Sequence, residues 1–479
     1  MSSHYVKAQK NIKAISTHYQ VCQHCHSQLD KQLHCFNEVC RESHPIQDAL
    51  SFYILDIESQ LRSIVTENHS HIVDYKSKKS IDGSYNDIVD GSCYQNKIYD
   101  HCYVTLVWFI DGAPPIRSKN VQMWPITAFV VELPIALRYA LKNIVFCGLW
   151  YGNKKPEFDF FQLHFVQAVK HLRENGFNVM VNNQNISFNL KIQAGLADLP
   201  ARAASLNLKQ FNGKFGCPVC YHPGQKLCRD SLVWIYPYQD ENERAVKRTH
   251  DELELHGNAA EQNNTIFFGV KGRSVLLDIM NLPDEIPFDY MHLVVEGEFR
   301  RKLLNYILPR NGFLYKDALS IINSSLTKMK YPHDFSKKTC TINESTIKRA
   351  KAGELQLLLL HVILPLLKGS IPDKIFCHLG LFVTAIQILN EDTVTDQDVD
   401  LAGKMLEEYH KLNCELYGPG SQTFTNHALL HLAEQRKVHG CPLVLLSNFV
   451  FEGFIGTLKR QFHGTREIID QMVTNISTL

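Results

Sequence analysis

The apolar residues of this chain of 479 residues gather into a few dense runs, and the first comes late. Met1–Glu42 is polar and rich in Cys and His. Phe52–Ser63 (FYILDIESQLRS) is apolar and amphipathic, and Ser77–Gln95, rich in Ser, Asp, Gly and Lys, reads as a loop. A regular block follows. His101–Ile110 (HCYVTLVWFI), Trp124–Leu133 (WPITAFVVEL) and Asn143–Tyr151 (NIVFCGLWY) are β-branched and aromatic runs, which predict buried strands. Phe158, Phe161, Phe165, Val169 and Leu172 recur at helical spacing, and Gly176 ends that helix. Ile186–Ile192 alternates as a fourth strand, Asp198 follows, and Pro200–Gln210 starts a helix with Pro near its first turn. After Gly216 the pattern is mostly helical. Lys351–Leu367 and Lys374–Leu389 are apolar enough for buried helices, and Val444–His463 is an amphipathic helix carrying Glu452.

Composition changes this picture little. Apolar residues are 45% and charged residues 21% of the chain, ordinary for a globular protein with room for two or three domains. No apolar run approaches the roughly 20 residues of a membrane span. The first 16 residues lack the apolar centre of a signal peptide, so a soluble, intracellular chain without a membrane partner is expected. The net charge of +1 argues mildly against nucleic acid, although a neutral total can hide a basic channel.

Fourteen cysteines matter more. In a reducing compartment disulfides are disfavoured. Cys22, Cys25, Cys35 and Cys40 form C-x2-C-x9-C-x4-C, a spacing that suits a tetrahedral Zn²⁺ site, with His24, His26 and His34 as alternative ligands. So short and polar a segment would take its folding energy from the metal. Cys217 and Cys220 form a second C-x2-C. His427 and His431 form H-x3-H on one helix face. Cys93, Cys102, Cys147, Cys228, Cys340, Cys377, Cys414 and Cys441 read as scattered thiols. Three acids stand out. Asp111 closes a strand before Gly112, where an Asp-Gly turn is the plain alternative. Asp198 precedes a helix, where an N-cap is the plain alternative. Glu452 sits in an apolar run, where it needs a partner unless the position is exposed. Lys459 lies about two helical turns beyond Glu452, and His463 continues that face.

Four stretches carry a resemblance that covers about three quarters of the chain. The first is Asp111–Pro156, with DG, WPI, ELP, KN, GLWYG and KKP. The second runs from Asp198 through Pro200, Ala201 and Arg202 to Gln210–Gly213 (QFNG) and Gly216–Cys220 (GCPVC). The third is Asp289–His292 (DYMH), and the fourth is Ser447–Arg466 (SNFVFEGFIGTLKRQFHGTR). In this order they resemble the catalytic blocks of CACTA (En/Spm-like, CMC superfamily) cut-and-paste DNA transposases. The resemblance implies an α/β, RNase H-like mixed sheet. It also implies a DDE site in which Asp111, Asp198 and Glu452 bind Mg²⁺ or Mn²⁺ for DNA strand cleavage and transfer. Asp289 and His292 match the DxxH motif, with His292 facing the scissile phosphate. By their place on the Glu452 helix, Lys459 or His463 could contact a DNA phosphate, with a solvated basic helix end as the plain alternative. DNA as partner, self-association and a nuclear location follow from the same resemblance.

A CxxC after the second acid and two His before the third also resemble the layout of the V(D)J recombinase and its Transib-type relatives. That would make Cys217, Cys220, His427 and His431 one zinc site across the insertion. The open alternatives are local binding with His222 or Cys228, or packed thiols and surface histidines. The expected segments are 1–48, a Cys-rich zinc-binding piece; 49–98, a linker with a short helix; 99–216, the first part of the core; 217–443, a mainly helical insertion; and 444–479, the Glu452 helix. Relatives usually extend past both ends of this chain. A transposon-derived binding factor without catalysis, and an RNase H-type nuclease, therefore stand as the other readings.

Overall fold

Every residue of Tyr103–Ile110 is buried, the mark of a strand covered on both faces. It is β3, an interior strand of a mixed sheet, seen in a computed structural model that describes residues 16–22, 24–25, 27–30, 32–43, 49–97, 102–115, 121–332, 341–460 and 468–476. The other strands are β1 (Ser16–Cys22), β2 (Ala49–Leu55), β4 (Gln122–Val130), β5 (Ile144–Gly152), β6 (Phe177–Val181) and β7 (Gln184–Ala197). Their order is β1-β2-β5-β4-β3-β7-β6. Only the β3–β7 pair is parallel. A crossover through a helix between β5 and β7 carries the chain back to the side where β3 begins, as parallel pairing of β7 with β3 requires.

Side chains alternate between two layers. Val104, Leu106, Trp108 and Ile110 face α1 (Ile57–Tyr75) and α2 (Phe158–Asn175), whose Leu61, Ile64, Phe161 and Phe165 join the same core. Val107 and Phe109 face the opposite layer. α3 (Leu199–Ser205) leaves the end of β7. Beyond it the chain is mainly helical up to Leu446, apart from a two-stranded ribbon at Gln225–Lys226 and Trp234–Ile235. This part includes α4 (Asp373–Asn390), α5 (Asp396–Tyr417), α6 (Phe424–Ala428) and α7 (Leu432–His439), which share a core of their own. The chain then returns to the sheet. α8 (Phe449–Leu458) and α9 (Ile468–Ile476) cover its second face with Phe451, Phe454, Ile455, Leu458, Met472 and Val473.

Two expectations are corrected. The span 49–98 is no linker with a short helix, because it supplies β2 and the 19-residue α1 to the core. The Cys-rich segment is not separate from the sheet, because β1 within it pairs with β2 from Ser16–Leu55 to Cys22–Ala49. Among the described residues, no single helix is long and apolar enough to cross a membrane.

Candidate active site and metal centres

β3 and β7 run in register, with Ile110 opposite Ala197, so the next residues, Asp111 and Asp198, leave one edge of the sheet as neighbours. Adjacent strands lie about 4.8 Å apart. Asp198 Oδ1 accepts the Ala201 N–H at 2.7 Å, capping α3. The N-cap reading therefore holds together with the edge position. Asp111 Oδ1 accepts the Gly112 N–H at 2.7 Å. Residue 112 is glycine for a reason: a Cβ there would stand 2.3 Å from the Trp124 ring. Burial lifts the Asp111 carboxyl to about 6, and the charges of Asp198 and Glu452 add to the lift while His292 opposes it. Asp198, Glu452 and His292 thus all bear on the charge of Asp111.

Glu452 arrives on α8, which Phe451 and Phe454 anchor to the sheet. Phe451 stacks on Phe109 at 4.5 Å between ring centroids, and Phe454 packs on Phe146 at 5.1 Å. Glu452 itself is on the exposed side of the helix. The apolar run around it serves its neighbours, and a buried, partner-demanding glutamate is not what the fold builds.

Asp289 is the joint between these pieces. It is almost fully buried. Its Oδ1 accepts from Ser447 Oγ (3.0 Å) and the Asn448 N–H (2.8 Å), at the start of α8. Its Oδ2 accepts from the His292 N–H (2.8 Å) and His292 Nδ1 (2.6 Å). His292 lies in a stretch widened to a π-helix, Met291–Phe299, a distortion common at functional sites. Burial disfavours its cation, but the hydrogen bond and charge of Asp289, with the charges of Asp111 and Asp198, outweigh this and raise it to about 9. Ser447 and Asn448 went unnoticed as site residues, although a Ser-Asn pair before an apolar helical run is a start signal. Lys459 closes α8, and His463 lies outside the described residues.

The thiols make two compact clusters. In the first, Cys22 and Cys40 Sγ are 3.6 Å apart and Cys25 and Cys35 Sγ 3.3 Å. β1 delivers Cys22, a bridge between Leu29 and Cys35 folds the chain back, and helix Glu38–Ser43 brings Cys40. His34 turns to Asp30 instead (3.2 Å), and His26 lies outside the described residues. The four sulfurs could hold a metal ion such as zinc.

In the second cluster, Cys217 Sγ lies 3.6 Å from His431 Nε2, and Cys220 Sγ lies 3.4 Å from His427 Nε2. Ligands at about 2.0–2.3 Å from one tetrahedral Zn²⁺ stand roughly 3.3–3.8 Å apart, so the donors fit. Arg248 braces the CxxC turn by donating from Nε to the carbonyls of Cys217 (3.0 Å) and Cys220 (3.3 Å). The local alternatives fail. Both His222 ring nitrogens are engaged, with Pro237 O and the Gly224 N–H, and Cys228 is exposed.

Among the described residues these two sets bring all their ligand atoms within 4.8 Å of one another. The three acids are not gathered so tightly.

Residues 6–233 match the profile of a family described as a protein of unknown function, DUF1258. The matched span holds the four-cysteine set, Asp111, Asp198 and the CxxC turn, and stops short of His427, His431 and Glu452. No curated protein matches the chain.

Proposed function

We propose that this chain is a DDE-type DNA transposase of the CACTA kind, built on an RNase H-like core. One observation carries the reading: Asp111 and Asp198 leave adjacent parallel strands at one sheet edge, where the charges of Asp198 and of Glu452, from a distant part of the chain, both raise the Asp111 carboxyl. The strand order β5-β4-β3-β7, with β7 parallel to β3, suits an RNase H-like core. Asp111, Asp198 and Glu452 would hold Mg²⁺ or Mn²⁺. Two such ions roughly 3.5–4 Å apart would supply charge for the attacking and leaving oxygens of a phosphodiester. Carboxylates that share two ions need not converge as tightly as the ligands of one zinc. The protein's own part is to fix these acids on the strand ends and on α8. It also presents the His292 cation, and it offers Lys154 and Lys155 at the same edge. Both lysines are exposed and have no acidic partner among the described residues. Zinc at the two thiol-containing sets would be structural. DNA is then the partner, a self-associated assembly the working form, and the nucleus the compartment.

A second reading, a transposon-derived binding factor without catalysis, is favoured by the looser gathering of the acids. Nicking of supercoiled plasmid with Mn²⁺ separates the two. The wild-type chain is expected to nick, and Asp111→Ala, Asp198→Ala and Glu452→Ala are each expected to fall to background with the fold intact by circular dichroism. Full activity in Asp111→Ala would refute the assignment, and an inert wild-type chain would support the binding factor.

A further inference from the structure

Phe268 leaves 49% of its surface exposed, and its backbone is in the left-handed region at φ +46°. Phe267 and Val270 exchange N–H···O bonds of 3.0 and 2.7 Å, so Phe268 and Gly269 form a two-residue turn between them. Both have positive φ, +46° and +86°, as a type I′ turn requires. Asparagine and glycine suit its first position, and a bulky side chain there is an outlier. The β6–β7 turn of this same chain is Asn182–Asn183, with φ +49° and +62°. Phe215, against Phe268, repeats the anomaly: its φ is +58°, and the two rings meet at 5.4 Å between centroids and 67°.

The surroundings hold both phenylalanines in place. Arg248, itself buried, donates from Nη2 to the carbonyls of Phe215 (3.0 Å) and Phe268 (2.8 Å). Tyr221 and His256 stand 5.8 and 5.1 Å from the Phe268 ring. Backbone strain persists where its surroundings over-determine it, and such residues cluster at functional sites. Here the strain holds an aromatic ring at the tip of a turn, in solvent rather than in a core. Two cations flank it. Lys214 Nζ lies 5.3 Å over the Phe215 ring, and Lys271 follows Gly269 by two residues. Both are exposed, and neither forms an ion pair with a described residue. Glu252 and Glu261, on the neighbouring helix His250–Asn263, accept instead from the Thr249 and Arg273 N–H groups (3.0 and 2.8 Å). Contacts tie this turn to the acid-bearing edge. The Lys271 N–H donates to Asn207 O (2.9 Å), and Asn207 Nδ2 donates to Asp159 Oδ2 (3.0 Å) in the first turn of α2. Phe158, beside Asp159, meets Trp124 at 5.4 Å, and Trp124 lies against Gly112, next to Asp111.

We infer that Phe268 is a stacking platform for an unpaired base of single-stranded DNA, with Lys214 and Lys271 taking the neighbouring phosphates. An aromatic face accepts any base and flanking cations follow the backbone, the combination that holds single strands without sequence preference. The inference rests on the reading of DNA as the partner. It adds a place for a strand that is unpaired near the acids.

The turn supplies its own test, because Phe268→Asn suits the backbone and removes the ring. The full chain is titrated into a fluorescent single strand of about 16 nucleotides carrying one 2-aminopurine, with the same strand in a duplex as comparison. Anisotropy reads binding, and quenching of the 2-aminopurine reads stacking. Phe268→Asn should bind the single strand about 5–100-fold more weakly, the range for one lost base stack, and lose the quench, while its Tm stays at or above that of the wild type. Phe268→Trp should keep both binding and quench. Lys214→Ala with Lys271→Ala should keep the quench at low salt and lower the slope of log K against log salt by about 1.4. Wild-type binding in Phe268→Asn would overturn the inference. So would a weaker binding that comes with a lowered Tm, which would mark the ring as packing, or an equal loss in Phe268→Trp. A wild-type chain that binds no single strand would also overturn it and leave the exposed ring to a protein partner. Plasmid nicking separates the two readings. A wild-type chain that nicks without quenching the strand keeps the transposase and loses the platform, and one that quenches without nicking does the reverse.

Discussion

A carboxyl raised toward neutrality and an imidazole held cationic meet at the acid-bearing edge: Asp111 at about 6 and His292 at about 9. Burial weakens the first as an anion, and Asp289 sustains the second as a cation. Such a pairing balances charge where several acids crowd, and a divalent ion would relieve the same crowding. On the DNA reading, charge for a polyanion would come from beside it. Lys155 Nζ sits 5.7 Å over the Trp124 ring, which in turn lies against Gly112, the residue after Asp111. The turn is anchored, because Trp150 Nε1 donates to the Lys154 carbonyl at 3.3 Å. Replacing both Lys154 and Lys155 with Ala is expected to weaken binding to duplex DNA and to flatten its salt dependence. Each lost phosphate contact lowers the slope of log K against log salt by about 0.9, so the pair should lower it by roughly 1–2. Fluorescence anisotropy over a salt series reads this. Lys142, paired with Glu67 at the other end of β5, is the control, and its Ala variant should leave the slope unchanged.

Among the elements, the helical layer carries its own pH sensitivity. His378 on α4 and His439 on α7 are buried and bonded to carbonyls, Nε2 to Tyr409 O (2.8 Å) and to Asp284 O (3.0 Å). Burial lowers both to about 4. Histidines in the unfolded chain take up protons near 6.5. Between pH 6.5 and 4 the unfolded chain therefore binds more protons than the folded one, and stability falls with pH. The loss is at most about 1.4 kcal/mol per pH unit for each histidine. Urea midpoints are expected to drop from pH 7 to pH 5, and the fall should be shallower in His378→Gln. A midpoint unchanged over that range would contradict the assignment.

Element by element, the chain's pattern is legible where burial is two-sided. β3, β4 and β5 are continuous apolar runs, and α2 has a clean helical stripe. β1 is not legible, because STHYQVC is an edge strand with only Val21 and Cys22 fully buried. β6 (FNVMV) buries just Phe177 and Val179 against its neighbour. α1 exceeds the expected short helix because its buried positions, from Ile57 to Tyr75, are diluted by Glu, Asn and His. At the site, the acids and both thiol sets could be picked out by type and spacing. The exposure of Glu452 could not, since its flanking Phe451 and Phe454 gave the same local pattern as a buried position.

In the whole molecule, Asp289 joins the helical core to the start of α8, while the Cys₂His₂ set closes the two ends of the helical part on each other. The sheet has its own apolar layers on both faces, whereas the return of the chain to α8 depends on that joint. Stripping metal from the chain is therefore expected to act unevenly. Amides of α6 and α8 should lose protection from hydrogen exchange at chelator levels that leave β3, β4 and β5 protected. Simultaneous loss in the sheet would show that the metal supports the whole fold instead.

Cys220 and His427 are 207 residues apart in sequence, yet their ligand atoms nearly touch. They clasp the two ends of the helical part together, but that part also meets the sheet between them, where Leu276, Leu277 and Ile286 join the core of α1 and α2 and Asp289 holds the start of α8. A helix of this part can lengthen or shorten without moving Glu452 against Asp198 only where it touches neither the clasp nor these contacts.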